Sequence, residues 1–154
     1  GEVVADRPKH ARLFVRHDGQ RAIVAIVHFS QEGVLYEPPG PLALSKWDPE
    51  ILGDAVQTAL LQSSTVPFVP RSRKDILCPV LQASGEPSPR AFISRYSQID
   101  VFGQDQSNTV FRIEGRPLEE HELVLSARIG ATPFAADLGR LLTRVADACR
   151  HRKF

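Results

Sequence analysis

Two stretches of this chain constrain its fold more than any others. "DPEILGDAVQTALLQSS", Asp48 to Ser64, and "ADLGRLLTRVADAC", Ala136 to Cys149, both read as amphipathic helices, and both place a Leu-Gly pair at the same helical phase. Glycine inside a helix costs about 1 kcal/mol relative to alanine, so its presence in both needs a reason. Aligning Leu52-Gly53 on Leu138-Gly139 sets Ala55-Val56 on Leu141-Leu142 and Ala59-Leu60 on Val145-Ala146. A glycine beside an apolar stripe lets a neighbouring backbone come close. The expectation is two helices packed side by side on one sheet face, touching near Gly53 and Gly139.

The ends of both helices carry their own signals. Asp48 can accept from the free amides of the first turn, and Pro49 suits the first helical position. Ile51, Leu52, Ala55, Val56, Ala59 and Leu60 then recur at helical spacing. In the second, Thr132 and Pro133 repeat the cap-and-proline start. Its stripe runs through Phe134, Leu138, Leu141, Leu142, Val145, Ala146 and Cys149, and its basic end suits the negative pole of the helix dipole. These readings give long helices over about 48–63 and 133–150. A short helix near 89–96 is expected from Ser88 followed by Pro89, with Phe92, Ile93 and Tyr96 on its buried side.

Strand signals fill much of the remainder. "ARLFVRHDGQRAIVAIVHF" holds two extended runs around Asp18-Gly19, a pair that favours a type I′ hairpin turn. The second run, Ile23 to Phe29, is apolar at both parities, which suggests burial on both faces. "GVLYE" is a short extended piece, ended by "PPGP". "DILCPVLQAS" reads as a strand that Pro79 would confine to an edge or a bulge. "QIDVF" and "TVFRIEG" form a hairpin across "GQDQSN", and "ELVLSARIG" alternates with Leu123, Leu125, Ala127 and Ile129 on one parity. The class that results is α+β. A single domain over 1–154 carries an antiparallel or mixed β-sheet, with the two long helices on one face.

Chemistry is harder to find than architecture. No Gly-x-Ser-x-Gly elbow, phosphate loop, His-Glu-x-x-His or Cys-x-x-Cys is present. His10, His17, His28, His121 and His151 are scattered, none of them four residues from another His or a Cys. His28, ending an apolar strand, is read as a hydrogen-bonded core or edge histidine rather than a general base. No catalytic residue, metal site or cofactor is therefore expected. Cys78 and Cys149 are too few for a disulfide scaffold and read as buried free thiols; whether they meet is open.

A formal net charge of +1 is unlike a dedicated nucleic-acid binder. The basic segments "RSRK" and "CRHRKF" lack interleaved aromatics for base stacking, so no direct nucleic-acid contact is expected. No stretch is apolar enough to span a membrane. "GEVVADRPKH" lacks the charged start and apolar core of a signal peptide, so a cytoplasmic location is expected. Carboxylates cluster at Glu119, Glu120 and Glu122, with Asp100 and Asp105 in or near a hairpin. Beyond solvent-facing filler, their economical role is electrostatic complementarity to a basic partner.

Taken together, the "LGDAVQTAL" helix, the irregular linker, "SPRAFISRYSQIDVF" and the closing "LG" helix resemble one family of bacterial immunity proteins. These are the CdiI-type immunity proteins of contact-dependent growth inhibition systems. The similarity covers roughly Trp47 to Cys149 and rests on structural motifs, so no functional residue carries over from it. It implies a cytoplasmic protein that binds one-to-one, and neutralises, the C-terminal toxin domain of a cognate CdiA effector, commonly a nuclease. Glu119, Glu120, Glu122, Asp100 and Asp105 are the partner-binding residues expected on electrostatic grounds. The alternative is a small cytoplasmic enzyme, a hydrolase or nuclease, whose site is assembled from scattered histidines and carboxylates. A deep pocket holding His28 or His121 beside a carboxylate would favour it.

Overall fold

The computed structural model describes residues 8–67, 79–103, 109–129 and 135–152. Strand β1 (Lys9–Arg16) is central. It pairs antiparallel with β2 (Ala22–Ser30) on one side and with β6 (Tyr96–Gly103) on the other. From β6 the sheet continues through β7 (Val110–Leu118) to β8 (His121–Arg128), each neighbour antiparallel to the last. Three short strands complete it by pairing with β2: β3 (Leu35–Tyr36), β4 (Leu42–Leu44) and β5 (Thr65–Val66). Of these, β5 alone runs parallel. The class is α+β, as the grouping of strand signals into a hairpin and a three-strand meander, set apart by helices, indicates.

Four helices lie among the described residues: α1 (Pro49–Gln62), α2 (Pro79–Ser84), α3 (Pro89–Arg95) and α4 (Ala135–His151). Asp48 caps α1, its Oδ1 accepting from the Ile51 backbone N–H at 2.8 Å. Ser88 caps α3 in the same way, with Ala91 donating at 3.1 Å. The proposed cap of the last helix, Thr132, and its proline, Pro133, lie outside the described residues, as do Cys78 and Asp105.

The two long helices share one face of the sheet. Alternate residues of the strands point to them: Ala11, Leu13 and Val15; Ala22 and Val24; Ile99 and Val101; Phe111 and Ile113. Leu52, Val56 and Leu60 of α1, with Leu138, Leu142 and Val145 of α4, close this core from above. Each fully buried leucine contributes about 1.5–3 kcal/mol relative to exposure. Between the helices, the paired glycines are the point of contact. A Cβ added at Gly53 would lie 1.7 Å from the Ala135 carbonyl oxygen, and one at Gly139 would lie 1.6 Å from that of Pro49. Any side chain larger than hydrogen would have to push a backbone aside.

On the other face, the described residues form a smaller apolar cluster at one end. Phe14, Ile23, Ala25 and Tyr96 pack there with Val80 of α2, flanked by Ala83 and Phe92. This explains why β2 is apolar at both parities. It also corrects the reading of "DILCPVLQAS" over its described part: Pro79–Ser84 is helical, and Val80 and Ala83, three apart on one side of it, both pack into this cluster.

Three smaller expectations change. Ile51 and Ile93 are 44% and 73% exposed rather than buried, one at the first turn of α1 and one on the solvent side of the single-layer helix α3. The Asp18-Gly19 hairpin does not close as a two-residue type I′ turn. Only Gly19 has positive φ, the Arg16 carbonyl accepts from the Gly19 N–H at 2.8 Å, and the loop closes by Arg16 N–H to Arg21 carbonyl at 2.9 Å. The longer loop lets Asp18 Oδ1 take the Gln20 amide at 2.9 Å, a local bond that competes with the tighter turn.

Candidate functional site

Away from α2 and α3 the second sheet face carries polar side chains in two rows across the strands. The pairing registers align Arg12 with Asp100, Glu114 and Val124, and in the next row His10 with Phe102, Arg112 and Ser126. The first row holds a charge network. Asp100 Oδ1 accepts from His10 Nε2 at 2.7 Å and from Arg12 Nε at 3.1 Å, and its Oδ2 accepts from Gln98 Nε2 at 3.1 Å. The second nitrogen of the Arg12 fork donates to Glu37 at 2.7 Å. Burial works to raise the Asp100 pKa, but the bonds from His10 and Gln98 and the Arg12 charge outweigh it and hold the carboxyl below its ordinary value. Burial likewise disfavours the Arg12 cation, and Glu37 and Asp100 reverse that, so its pKa is raised.

The second row is aromatic as well as charged. The buried His10 ring stacks on Phe102 with centroids 4.3 Å apart, and the Arg112 guanidinium sits 4.7 Å from the Phe102 centroid. Arg112 Nε lies 2.8 Å from Glu114 Oε1, an ion pair too bent to count as a hydrogen bond. With its Nε2–H committed to Asp100, His10 keeps a buried Nδ1 that meets no donor among the described residues.

Beside these rows the sheet splits. The β6–β7 ladder runs from Gly103–Phe111 to Ile99–Gly115 and ends there, and β7 is bulged between Gly115 and Leu118 against β8. Pro117 falls within that irregular stretch, where it has no N–H to give to a ladder. Residues Tyr96 to Gln98 of β6 continue with β1 alone. The fork leaves a cleft of about 680 Å³, with Asp100, Glu114, Glu119, Glu122, Arg116 and Arg152 supplying its charge. Four carboxylates thus face two guanidinium groups. Asp100 and Glu114 already share ion pairs with Arg12 and Arg112, whereas Glu119 and Glu122 have none among the described residues.

Of the five acidic residues singled out in the sequence, the fold brings Asp100, Glu119 and Glu122 to this cleft. Glu120 stands exposed in the β7–β8 turn and is not part of the lining. Asp105 lies outside the described residues. Glu114 was missed, although its alternation with Phe111 and Ile113 marks it as outward on a strand whose other side is core.

The histidines do not converge. His28 Nδ1 accepts from the Ser64 backbone N–H at 3.1 Å and the ring stacks on Tyr36, the behaviour of an edge histidine; burial pushes its pKa down. His17 lines the cleft, with Nε2 3.0 Å from Ser97 Oγ. His121 and His151 are exposed on β8 and at the end of α4. Neither His28 nor His121 lines the cleft. Among the described residues no three His, Cys, Asp or Glu side chains are placed to hold a metal ion. Cys149 is a buried free thiol at the cleft, and burial raises its pKa, away from the thiolate a nucleophile needs.

No family model matches this chain, and no curated protein matches it. Among solved structures, it is similar to a protein of unknown function from Neisseria meningitidis. The TM-score is 0.61 at 16% identity, covering 97% of this chain and 99% of the other. At that identity the likeness establishes a shared fold over nearly the full length of both chains. No described helix is long and apolar enough to cross a membrane.

Proposed function

We propose that this chain is a cytoplasmic immunity protein, and that it binds one-to-one and neutralises the C-terminal nuclease toxin domain of a cognate CdiA effector. The observation that carries the reading is the forked cleft, where Glu119 and Glu122, beside Asp100 and Glu114, form no ion pair among the described residues. A nuclease must present cationic groups to phosphates, and a concave surface with uncommitted carboxylates complements such a partner. The resemblance of the Leu-Gly helices and the Ser88-led helix to CdiI-type proteins supports the same assignment.

The test is direct. The toxin domain encoded immediately upstream is mixed with this chain, and binding and toxin activity are measured together. A one-to-one complex with loss of activity is expected. Full toxin activity at excess of this chain, or a neighbouring gene encoding no such effector, overturns the proposal.

One observation favours a second reading, a hydrolase: the Ser97 hydroxyl lies within hydrogen-bond reach of His17 in the same cleft. Against it, His17 is exposed and no carboxylate is hydrogen-bonded to its other nitrogen among the described residues. Hydrolysis of an activated ester that disappears in Ser97→Ala would promote this reading over the first.

A further inference from the structure

The two ends of the sheet differ. One closes in β3 and β4, of two and three residues, which is a common way of blunting an edge. The other ends in β8, eight residues long, flanked among the described residues by β7 alone and containing no Pro, Gly or Lys. A strand edge of that length offers unpaired N–H and C=O groups to another strand.

What that strand should be follows from the sequence of β8. Joining two sheets edge to edge must keep helix-side residues on the helix side, so in an antiparallel self-pairing only residues of like parity can face each other. A two-fold axis through Leu125 satisfies this and uses Glu122 through Arg128 in full. Leu125 then faces its own copy, Leu123 faces Ala127, Val124 faces Ser126, and Glu122 faces Arg128 at both ends. Moving the axis to Val124 sets Glu122 against Ser126, and Arg128 against Glu120 in the turn. Glu122 and Arg128 are exposed, and neither has an ion pair among the described residues. Leu123 and Leu125 are only partly covered, and Val124 is 48% exposed.

We infer that β8 pairs antiparallel with β8 of a second copy of this chain, about a two-fold axis through Leu125, with Glu122 of each copy against Arg128 of the other. The interface is isologous, so each favourable contact occurs twice. Opposite charges directly across an antiparallel pair stabilise it and like charges oppose it. The self-complementary charge order is what selects a second copy over a foreign strand.

Sedimentation of the intact chain, without toxin, over a rising concentration series tests this. A monomer–dimer equilibrium is expected, with hydrogen exchange at β8 amides slowing as the dimer fills. Glu122→Arg and Arg128→Glu should each weaken dimerisation on the order of tenfold or more, and E122R/R128E together should restore it. Both side chains are exposed, and thermal unfolding of each variant checks that the fold is kept. A monomer at every concentration overturns the inference. So does a dimer indifferent to either reversal or not restored by the pair, and so does β8 protection that arises only on adding another protein. Glu122 belongs to both surfaces, but no toxin is present here and Arg128 lies outside the cleft, so Arg128→Glu reads dimerisation alone and a monomeric chain leaves the toxin-binding proposal standing.

Discussion

At the residue scale, two polar side chains, one buried and one half-buried, join elements that apolar packing alone would leave to slide. Ser63, 1% exposed, ends α1: its hydroxyl donates to the Val27 carbonyl at 2.6 Å and accepts from the His10 backbone N–H at 3.1 Å. Ser63→Ala removes both partners at once and leaves a buried donor and a buried acceptor behind. A loss of about 1–3 kcal/mol is expected in urea unfolding at neutral pH. Asp100 does the corresponding work on the open face, where it holds His10, Arg12 and Gln98. Its folded pKa lies below the ordinary carboxylate value, so the unfolded chain takes up the proton first as pH falls. The stabilisation is fully present above about pH 3.9 and is lost as pH drops from there through the lowered folded value. Asp100→Asn should cost about 1–3 kcal/mol at neutral pH and flatten this acid limb. An unchanged limb in that variant would assign the acid sensitivity to other carboxylates.

At the scale of elements, the paired glycines make a prediction that runs against helix propensity. Gly53→Ala or Gly139→Ala gains about 1 kcal/mol of intrinsic helix stability. Yet each new Cβ would overlap a backbone carbonyl oxygen of the facing helix, at 1.7 Å and 1.6 Å, and backbone cannot rotate away. Overpacking of this kind typically costs about 1–3 kcal/mol and sometimes more, so a net loss of midpoint is expected for each variant. A gain would show that the helices separate without penalty. This contact was legible in the sequence because it leaves a mark at one phase in both helices, as do the caps Asp48 and Ser88. The bulge after Gly115 left no such mark. Pro117 warns of a broken ladder, but not that β6 and β7 part there and draw Glu114 toward Glu119 and Glu122. The short helix at Pro79–Ser84 was hidden for a related reason: six residues are too few to show a helical period, and Pro79 fits either an edge strand or a helix start.

At the scale of the whole molecule, the net charge of +1 says little about the surface a partner would meet, because charge is distributed unevenly. Arg12 and Arg112 spend their charge on Glu37, Asp100 and Glu114, while Glu119 and Glu122 form no ion pair with the described residues of their own copy. Exposed charges of this kind act over about a Debye length and chiefly accelerate encounter. If the cleft meets a basic toxin domain, Glu119→Lys with Glu122→Lys should slow association about tenfold at low salt, with a smaller effect on dissociation. Raising the ionic strength should bring the two proteins' association rates together, since screening removes what the reversal changed. Gln98→Ala, in the same cleft but neutral, should leave the salt dependence as it is. Stopped-flow association at several salt concentrations separates these outcomes. Equal rates for the double reversal and the parent at low salt would move the toxin-binding surface away from the fork, to a face that Glu119 and Glu122 do not reach.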